Sequence, residues 1–463
     1  MSERAFHAIF PTRTLLLVIS EAMLVCAALL AAILAFRGEA ALRLAGSDIL
    51  LRIAVASVVC LLCLHYFDLY DFSILANPRE VGIRLVRVGG AVFLILAALY
   101  YMYPDIGLDF RSCLVGMALG GALLAGWRRL FFALVEVAGW SDQALLLGDG
   151  PLARSLAAEL ERRPQLGVKL VGYLGSVPDA CGGANGLQNL GAAERLPDVV
   201  DARQIRRVIV TMTDGRGSLP VQALLQLKTR GVLVQDGTEL YEEVTGKIPV
   251  DWVRPSELFF SSGFRVSPWV QFWKRLIAFA LSLVVSVVCL PIAGLIALLT
   301  WVDSGLPVLF RQTRIGKDGK PFTLYKFRSM HNGADADRTP RPALAKDPRC
   351  TRVGHWLRHT RLDELPQLYN ILRGDMCLVG PRPFVPEQEE ECLRQIPLYS
   401  QRWCVRPGAT GWAQVRHGYC QTVEDNTEKL GYDLFYIKHM SMGLDALIVF
   451  ETVKILLLGR GAQ

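Results

Sequence analysis

Between Leu276 and Val302 the chain runs for 27 residues without one charged side chain, and Pro291 stands near the middle of that run. Few environments accept such a segment. A hydrocarbon core about 30 Å thick is crossed by about 20 helical residues. One straight helix over this run would be about 40 Å long, more than a crossing requires. Lys274 and Arg275 precede it, and Arg311 and Arg314 follow it. Positive charge collects on the cytoplasmic side of membrane segments. Basic flanks at both ends therefore predict a helix that enters the membrane, breaks at Pro291 and returns to the same face. Pro291 cannot donate to the carbonyl of Val287, a group that Ser286 or neighbouring protein would have to satisfy. A kinked spanning helix is the alternative.

Four more apolar runs lie earlier, at Leu15–Phe36, Ile49–Phe67, Leu85–Tyr103 and Cys113–Val137. Each is near membrane-spanning length. With 52% hydrophobic residues and a mean hydropathy of +0.31, the whole chain is too apolar for an ordinary soluble protein. Arg128 and Arg129 predict that the bilayer part of the fourth run ends near Trp127, and Tyr100, Tyr101 and Tyr103 read as an interfacial belt. Arg4 and Arg13 precede the first run, Arg79, Arg84 and Arg87 separate the second from the third, and Arg128 and Arg129 mark the end of the fourth. That asymmetry places both ends of the four-helix module in the cytoplasm. Glu21, inside the first run, has no partner legible in the sequence. No small-residue cleavage site follows the first run, which argues against a removed signal peptide. The eleven cysteines show no zinc spacing, and Cys60 and Cys63 lie in an apolar run where packing explains them.

From about Ser141 the pattern changes to short strands alternating with helices. Ala144–Leu147, Leu170–Leu174, Val208–Thr211 and Val232–Gln235 read as strands of a doubly wound α/β domain of roughly 120 residues. The turn Gly148-Asp149-Gly150-Pro151-Leu152-Ala153 has the G-x-G-x-x-A form of a dinucleotide site. No acidic residue follows the second strand to hold a ribose, so a structural or regulatory role is the better reading.

The last third carries the charge. From Phe310 to Arg361 there are 13 Lys/Arg against 4 Asp/Glu, a net of +9 in a chain whose total is +7. Such an excess suits phosphate-bearing partners. Strand-like pieces at Val308–Arg311 and Pro321–Phe327 flank a Gly-Lys-Asp-Gly turn, and Asp335–Asp347 reads as a polar loop. Helices are expected at Asp363–Leu372, Pro386–Arg394 and Val423–His439, with an apolar tail helix at Leu444–Leu458. In Thr360–Pro383, two adjacent carboxylates, Asp363 and Glu364, precede Pro366. Proline is tolerated in a first helical turn, which places Asp363 at or beside a helix N-cap. A cap and a catalytic carboxylate are both compatible with that position.

Four motifs in this region decide between them: Tyr325-Lys326-Phe327-Arg328-Ser329-Met330, the Asp-Glu-Leu-Pro-Gln-Leu stretch from Asp363, Val379-Gly380-Pro381-Arg382-Pro383, and Arg406-Pro407-Gly408-Ala409-Thr410-Gly411-Trp412-Ala413-Gln414-Val415. Together they resemble the bacterial sugar transferases, monotopic phosphoglycosyl transferases that load a sugar 1-phosphate onto a polyprenyl phosphate. The resemblance covers about 272–463. The preceding helices and Rossmann-like module resemble the large members, and Tyr432–Lys438 with Gly459–Ala462 the exopolysaccharide-associated branch.

The resemblance implies a membrane protein of mixed α and α/β fold: a four-helix transmembrane module (1–140), a Rossmann-like, CoA-binding-like domain (141–265) and an α/β catalytic domain (266–463) with a re-entrant helix at about 276–302. It implies that Asp363 attacks the β-phosphate of a UDP-sugar, expels UMP, and passes the sugar phosphate to undecaprenyl phosphate. Glu364 would help hold Mg²⁺. Lys326, Arg328, Arg361 and Arg382 are implied phosphate contacts, Pro381 and Pro383 beside Arg382 are implied to bind substrate as well, and Gly408, Thr410, Gly411 and Gln414 are implied to shape the nucleotide pocket. The site is expected on the cytoplasmic face of a bacterial inner membrane, with no nucleic-acid partner; homo-oligomerisation and the identity of the sugar stay open. Ala278, Leu290 and Cys377 depart from the family's usual Asp, Ser and Ser. Two other readings compete. A membrane-bound nucleotide-sugar dehydratase would need a Tyr-x-x-x-Lys pair, which this sequence lacks. A non-catalytic membrane scaffold would leave Asp363 dispensable.

Overall fold

The computed structural model describes Thr12–Leu457 apart from residues 45, 71–77, 104–109, 138–141, 164–165, 176–186, 213–218, 254–263, 265–266, 332, 334–346 and 418–421. The expected loop Asp335–Asp347 (except Asp347) and the Gly459–Ala462 tail lie outside the described residues. The chain divides into two compact units, Phe6–Leu240 and Tyr241–Gln463.

The first unit opens with α1 (Thr12–Leu44), α2 (Gly46–Tyr66), α3 (Pro78–Met102) and α4 (Phe110–Val137). Each contains a stretch long and apolar enough to cross a membrane. Helix α1 packs on α2 and α4, and α3 packs on α2 and α4. Val25, Leu29, Ile53, Leu64, Val92 and Leu124 form their shared apolar core. The fourth helix continues past Trp127 to Val137, and within it Arg128 turns inward and meets Glu21: Nε and Nη2 donate to the two carboxylate oxygens at 2.6 and 2.9 Å. Nη1 donates to Leu69 O at 3.0 Å, and Trp127 Nε1 donates to Ser20 Oγ at 2.9 Å. A paired charge can stay at a depth where a lone one is expelled. Glu21 thus gains the partner its sequence neighbourhood does not reveal.

Next come β1 (Asp142–Leu147), α5 (Pro151–Arg162), β2 (Val168–Leu174), α6 (Leu196–Arg203), β3 (Arg207–Val210), α7 (Val221–Thr229) and β4 (Leu233–Asp236). The strands form one parallel sheet in the order β2-β1-β3-β4. Ala144 to Leu147 are fully buried, as expected of a central strand covered on both faces. Gly148, at φ +126°, turns the chain out of β1 where a side chain would also strike Thr211. The Asp149 side chain lies against Gly175, with Oδ2 at 2.8 Å from where a Cβ on that glycine would sit.

Helix α8 (Gly237–Thr245) leads into the second unit. Its last turn and the following residues are integral to that unit. Glu242 takes Lys438 Nζ at 2.7 Å and lies 2.6 Å from His439 Nε2; Gly246 O accepts from Trp412 Nε1 at 2.7 Å. The long apolar helix is α9 (Pro268–Ser304). The expected break at Pro291 is not an interruption of helical backbone, since α9 continues through the proline. Only Lys274, Ala278, Ser282, Ile296 and Thr300 of α9 are buried, so its middle presents apolar side chains outward.

The hairpin β5 (Leu309–Ile315) and β6 (Pro321–Phe327) follows, then α10 (Arg352–Thr360), a 3₁₀ turn (Leu362–Glu364) and α11 (Gln367–Arg373). Strand β7 (Cys377–Val379), α12 (Pro386–Gln395), a 3₁₀ helix (Tyr399–Cys404), β8 (Gly408–Thr410), α13 (Trp412–Arg416), α14 (Val423–Lys438) and α15 (Met442–Leu457) complete the unit. Both arms of α9 pack here. Ala278 joins Leu324, Ile371 and Met376, whereas Ile296 joins Phe327 and Leu357.

Candidate active site

The two carboxylates sit on a corner. Thr351 caps α10 by accepting from Gly354 N, and Arg361, left-handed at φ 59°, turns the chain out of that helix. Asp363 therefore does not cap a helix running to Leu372. It lies in the separate 3₁₀ turn, and Pro366 occupies the N-cap of α11. Asn370 fixes this corner on the hairpin. Its Oδ1 accepts from Tyr325 N at 3.2 Å and its Nδ2 donates to Thr323 O at 2.7 Å, an edge pairing made while Asn370 is fully buried.

Three cations converge on one oxygen of Glu364. Lys326 Nζ lies 2.9 Å from Oε1, Arg382 Nη2 3.2 Å and Arg361 Nη1 3.6 Å. Burial alone would raise this carboxyl, but Lys326, Arg382 and Arg361 outweigh it and hold the group well below the usual carboxylate range. Asp363 is only 7% exposed. Its burial, reinforced by the Glu364 charge, pushes it upward against the pull of Lys326, Arg358 and Arg361. Adjacent carboxylates thus differ in character: Glu364 is a fixed anion, and Asp363 is the more basic and less solvated partner.

The arginine that reaches this centre from β7 is carried by two interlocked segments. Strands β7 and β8 run parallel, and Gly380 N donates to Thr410 O at 2.9 Å while Gly408 N donates to Pro381 O at 3.0 Å. A Cβ on Gly380 would lie 2.4 Å from Arg406 O, and one on Gly408 would lie 2.1 Å from Gly380 N. The crossing of these backbones requires glycine at both positions. Arg382 and Pro383 leave this crossing with their carbonyls bound. Arg402 Nη2 donates to Arg382 O at 2.8 Å, and Arg314 Nη1 donates to Pro383 O at 3.1 Å.

Among the residues singled out in the sequence, Lys326, Arg361, Arg382, Asp363 and Glu364 come together. Arg328 does not join them. Its Nη2 donates to Ser304 O at 2.7 Å and Ser304 Oγ at 2.9 Å, and also to Gly305 O, closing the C-terminus of α9. Thr410 turns to α15, 2.6 Å from Thr452 Oγ1. Gln414 Nε2 donates to Ala409 O at 3.2 Å, and Gly411 packs on Gly380 O. Pro381 and Pro383 frame the turn through their bound carbonyls.

Sequence reasoning passed over the support beneath Arg382. Arg402, 4% exposed, meets Asp433 at 3.0 Å and Glu389 at 3.5 Å and lies 5.0 Å from the Tyr399 ring. Glu389 and Asp433 are the only legible signal. Charged residues at helical positions that the pattern buries announce a partner, but not which one.

A sequence profile described as bacterial sugar transferase matches residues 269–459, and one described as a CoA-binding domain matches 65–214. The UDP-glucose:undecaprenyl-phosphate glucose-1-phosphate transferase of Xanthomonas campestris pv. campestris is 31% identical over 433 residues, covering 88% of this chain and 87% of its own. The protein of the same name from Escherichia coli (strain K12) is 33% identical over 367 residues, covering 76% and 73%. The UDP-N-acetylgalactosamine-undecaprenyl-phosphate N-acetylgalactosaminephosphotransferase of Aeromonas hydrophila is 39% identical over 229 residues; the chain spans about half that relative's length, 52%.

Proposed function

The chain belongs to the bacterial sugar transferase family, and we propose that it transfers a sugar 1-phosphate from a UDP-sugar to undecaprenyl phosphate, releasing UMP and beginning the assembly of an exopolysaccharide or related glycan. The observation that carries this reading is the buried Asp363 beside a Glu364 that gathers Lys326, Arg361 and Arg382. In the first step an Asp363 oxygen attacks the β-phosphorus. The new O–P bond makes an acyl phosphate, and the bond to the bridging oxygen breaks with its electron pair leaving on UMP. In the second step a phosphate oxygen of the lipid attacks the same phosphorus and the Asp363 carboxylate is restored. Splitting the transfer avoids bringing two polyanions together at once. The cations around Glu364 offset the phosphate charge that would otherwise repel a carboxylate nucleophile.

Mg²⁺ fits this donor set only in company with the diphosphate. Among the described residues no group of three or more His, Cys, Asp or Glu side chains gathers, and Glu364 Oε1 already serves three cations. Asp363 and Glu364 Oε2 remain, which suits an ion that takes one or two carboxylates and completes its shell with phosphate and water. When bound, it would neutralise charge on the diphosphate.

We read α9 as re-entrant, with the site on the cytoplasmic face of a bacterial inner membrane. In a straight helix, residues 275 and 304 stand about 44 Å apart. Yet Arg275 donates to the carbonyls of Ile371 and Leu372, Asn370 is bound to the backbone of Tyr325, and Arg328, three residues along, holds Ser304. Only a fully stretched, collinear set of side chains would span a straight rod through those contacts, so they favour a bend at Pro291. The Rossmann-like sheet is read as structural, because the Asp149 carboxylate beside the glycine turn would repel a pyrophosphate.

The test is turnover of a panel of UDP-sugars with undecaprenyl phosphate and Mg²⁺, scored by UMP release, with mass spectrometry for a phosphosugar on Asp363. Asp363→Asn abolishes both signals. Wild-type turnover by that variant refutes the covalent mechanism and favours the scaffold reading.

A further inference from the structure

One cation beside the site, Arg314, has no carboxylate within ion-pair distance among the described residues. Phe310 pairs with Lys326, Gln312 with Leu324 and Arg314 with Phe322 across the hairpin, so Lys326, Gln312 and Arg314 share one face. Lys326 uses that face to reach Glu364. Arg314, half-buried, donates from Nε and Nη2 to Gln312 Oε1 at 3.1 and 2.7 Å and from Nη1 to Pro383 O at 3.1 Å. Among the described residues no carboxylate lies within 4.0 Å of it, whereas Lys326, Arg361 and Arg382 share Glu364 at 2.9–3.6 Å. Burial, then the like charge of Arg382, pull its pKa down to about 10 against the opposing pull of Glu364 and Glu389, so it is still a cation at neutral pH. Two neutral acceptors hold this guanidinium in a fixed orientation, and the two carboxylates that act on it do so from beyond ion-pair distance. A desolvated cation in that condition gains more from an incoming anion than one already paired.

Its place on the hairpin selects the anion. Lys326 and Arg328 stand at the end of the hairpin next to α9, where Arg328 binds Ser304. Arg314 stands at the other end, beside the Gly316–Lys320 turn and about 13 Å along the strand from the Phe310–Lys326 pair. Ile315 N, donating to Phe384 O at 3.0 Å, fixes this end to the segment that carries Arg382. A lipid phosphate is tethered to the membrane side, next to α9. A soluble nucleotide is not, and its phosphate can occupy the far end.

We propose that Arg314, together with Arg382, seats the phosphate of the leaving nucleoside monophosphate. The assignment rests on the transferase reading above and names the residue that distinguishes a nucleotide's phosphate from its nucleoside. A seat of this kind tightens binding of UMP relative to uridine and leaves lipid binding alone.

The experiment measures competitive inhibition of the full-length protein by UMP and by uridine, and KM for undecaprenyl phosphate, in wild type, Arg314→Lys and Arg314→Gln. In Arg314→Gln, inhibition by UMP weakens about tenfold or more, as expected for a lost charge-assisted bond. Inhibition by uridine and KM for the lipid stay within twofold, and Arg314→Lys recovers part of the UMP preference. A purely structural loss at Pro383 would shift all three constants together. The proposal is overturned by an unchanged UMP-to-uridine ratio in Arg314→Gln, by a lipid KM that rises as much as the UMP constant, or by a wild type that binds UMP no better than uridine. Wild-type release of UMP from a UDP-sugar, combined with an unchanged ratio, removes this assignment while keeping the transferase. No release from any UDP-sugar removes the transferase itself.

Discussion

Neutralising Glu21 should destabilise the helical part of the first unit far more than neutralising it together with Arg128. The pair has two charge-assisted bonds at 2.6 and 2.9 Å, and its side chains are 0% and 3% exposed. Two charges about 4 Å apart at an effective dielectric near 20 attract by roughly 4 kcal/mol. Removing one member of a buried pair costs about 3–5 kcal/mol, because the survivor keeps its desolvation penalty without its partner. Glu21→Gln leaves Arg128 with Leu69 O and an amide, so it belongs at the lower end of that range. Glu21→Met with Arg128→Met removes both penalties and should recover most of the loss. The expected coupling is about 2–4 kcal/mol, the double variant being less destabilised than the sum of the two single variants. The assay is equilibrium unfolding of the detergent-solubilised chain by tryptophan fluorescence, with a Trp127→Phe control to isolate the reporter bonded to Ser20, next to the pair. Single-variant effects that add within about 0.5 kcal/mol in the double variant would show that the two side chains do not act as a pair.

Two further outcomes follow from the site. On the proposed mechanism Asp363 attacks as a carboxylate, and its burial and the Glu364 charge raise its pKa, so kcat/KM falls with acidification beginning at a higher pH than an ordinary carboxylate would give. Removing the neighbouring charge with Glu364→Gln moves that acid limb to lower pH while lowering the rate, which a pH–rate profile of both proteins checks. Arg402→Met strips the shared partner from the buried Glu389 and Asp433 and costs about 3–5 kcal/mol of stability. A thermal-shift measurement that finds no loss would show that Arg402 does not hold the turn.

The site was legible where chemistry and spacing coincide. Asp363, Glu364, Lys326, Arg361 and Arg382 are brought together from three stretches of sequence. Arg328 was misread for a local reason. Two residues beyond Lys326, it belongs on the same face of a continuing strand, but β6 stops at Phe327 and Arg328 turns to α9. The parallel sheet was legible from its apolar strands, with boundaries within two residues. Glu21 and Arg128, 107 residues apart, leave no periodic trace of their pairing. Pro291 was legible as a weak point, but helical backbone persists through it, because a proline removes one hydrogen bond and leaves its neighbours' intact.

Some arginines of the second unit hold backbone, others face charge, and Arg402 does both. Arg275, Arg328 and Arg402 bind carbonyls of α11, the end of α9 and the Arg382 turn. Arg361 and Arg382 face Glu364. Arg314 holds Pro383 O, and among the described residues no acid lies within 4.0 Å of it. The division explains how a site can concentrate positive charge without collapsing around its two carboxylates. Arg382, one of the cations beside Glu364, is positioned by backbone whose carbonyls are already tied by Arg402 and Arg314, so on the proposed reading an arriving phosphate meets a group that need not be ordered first. That preorganisation is where such a site gains its advantage over water, whose dipoles must reorient for every charge that moves.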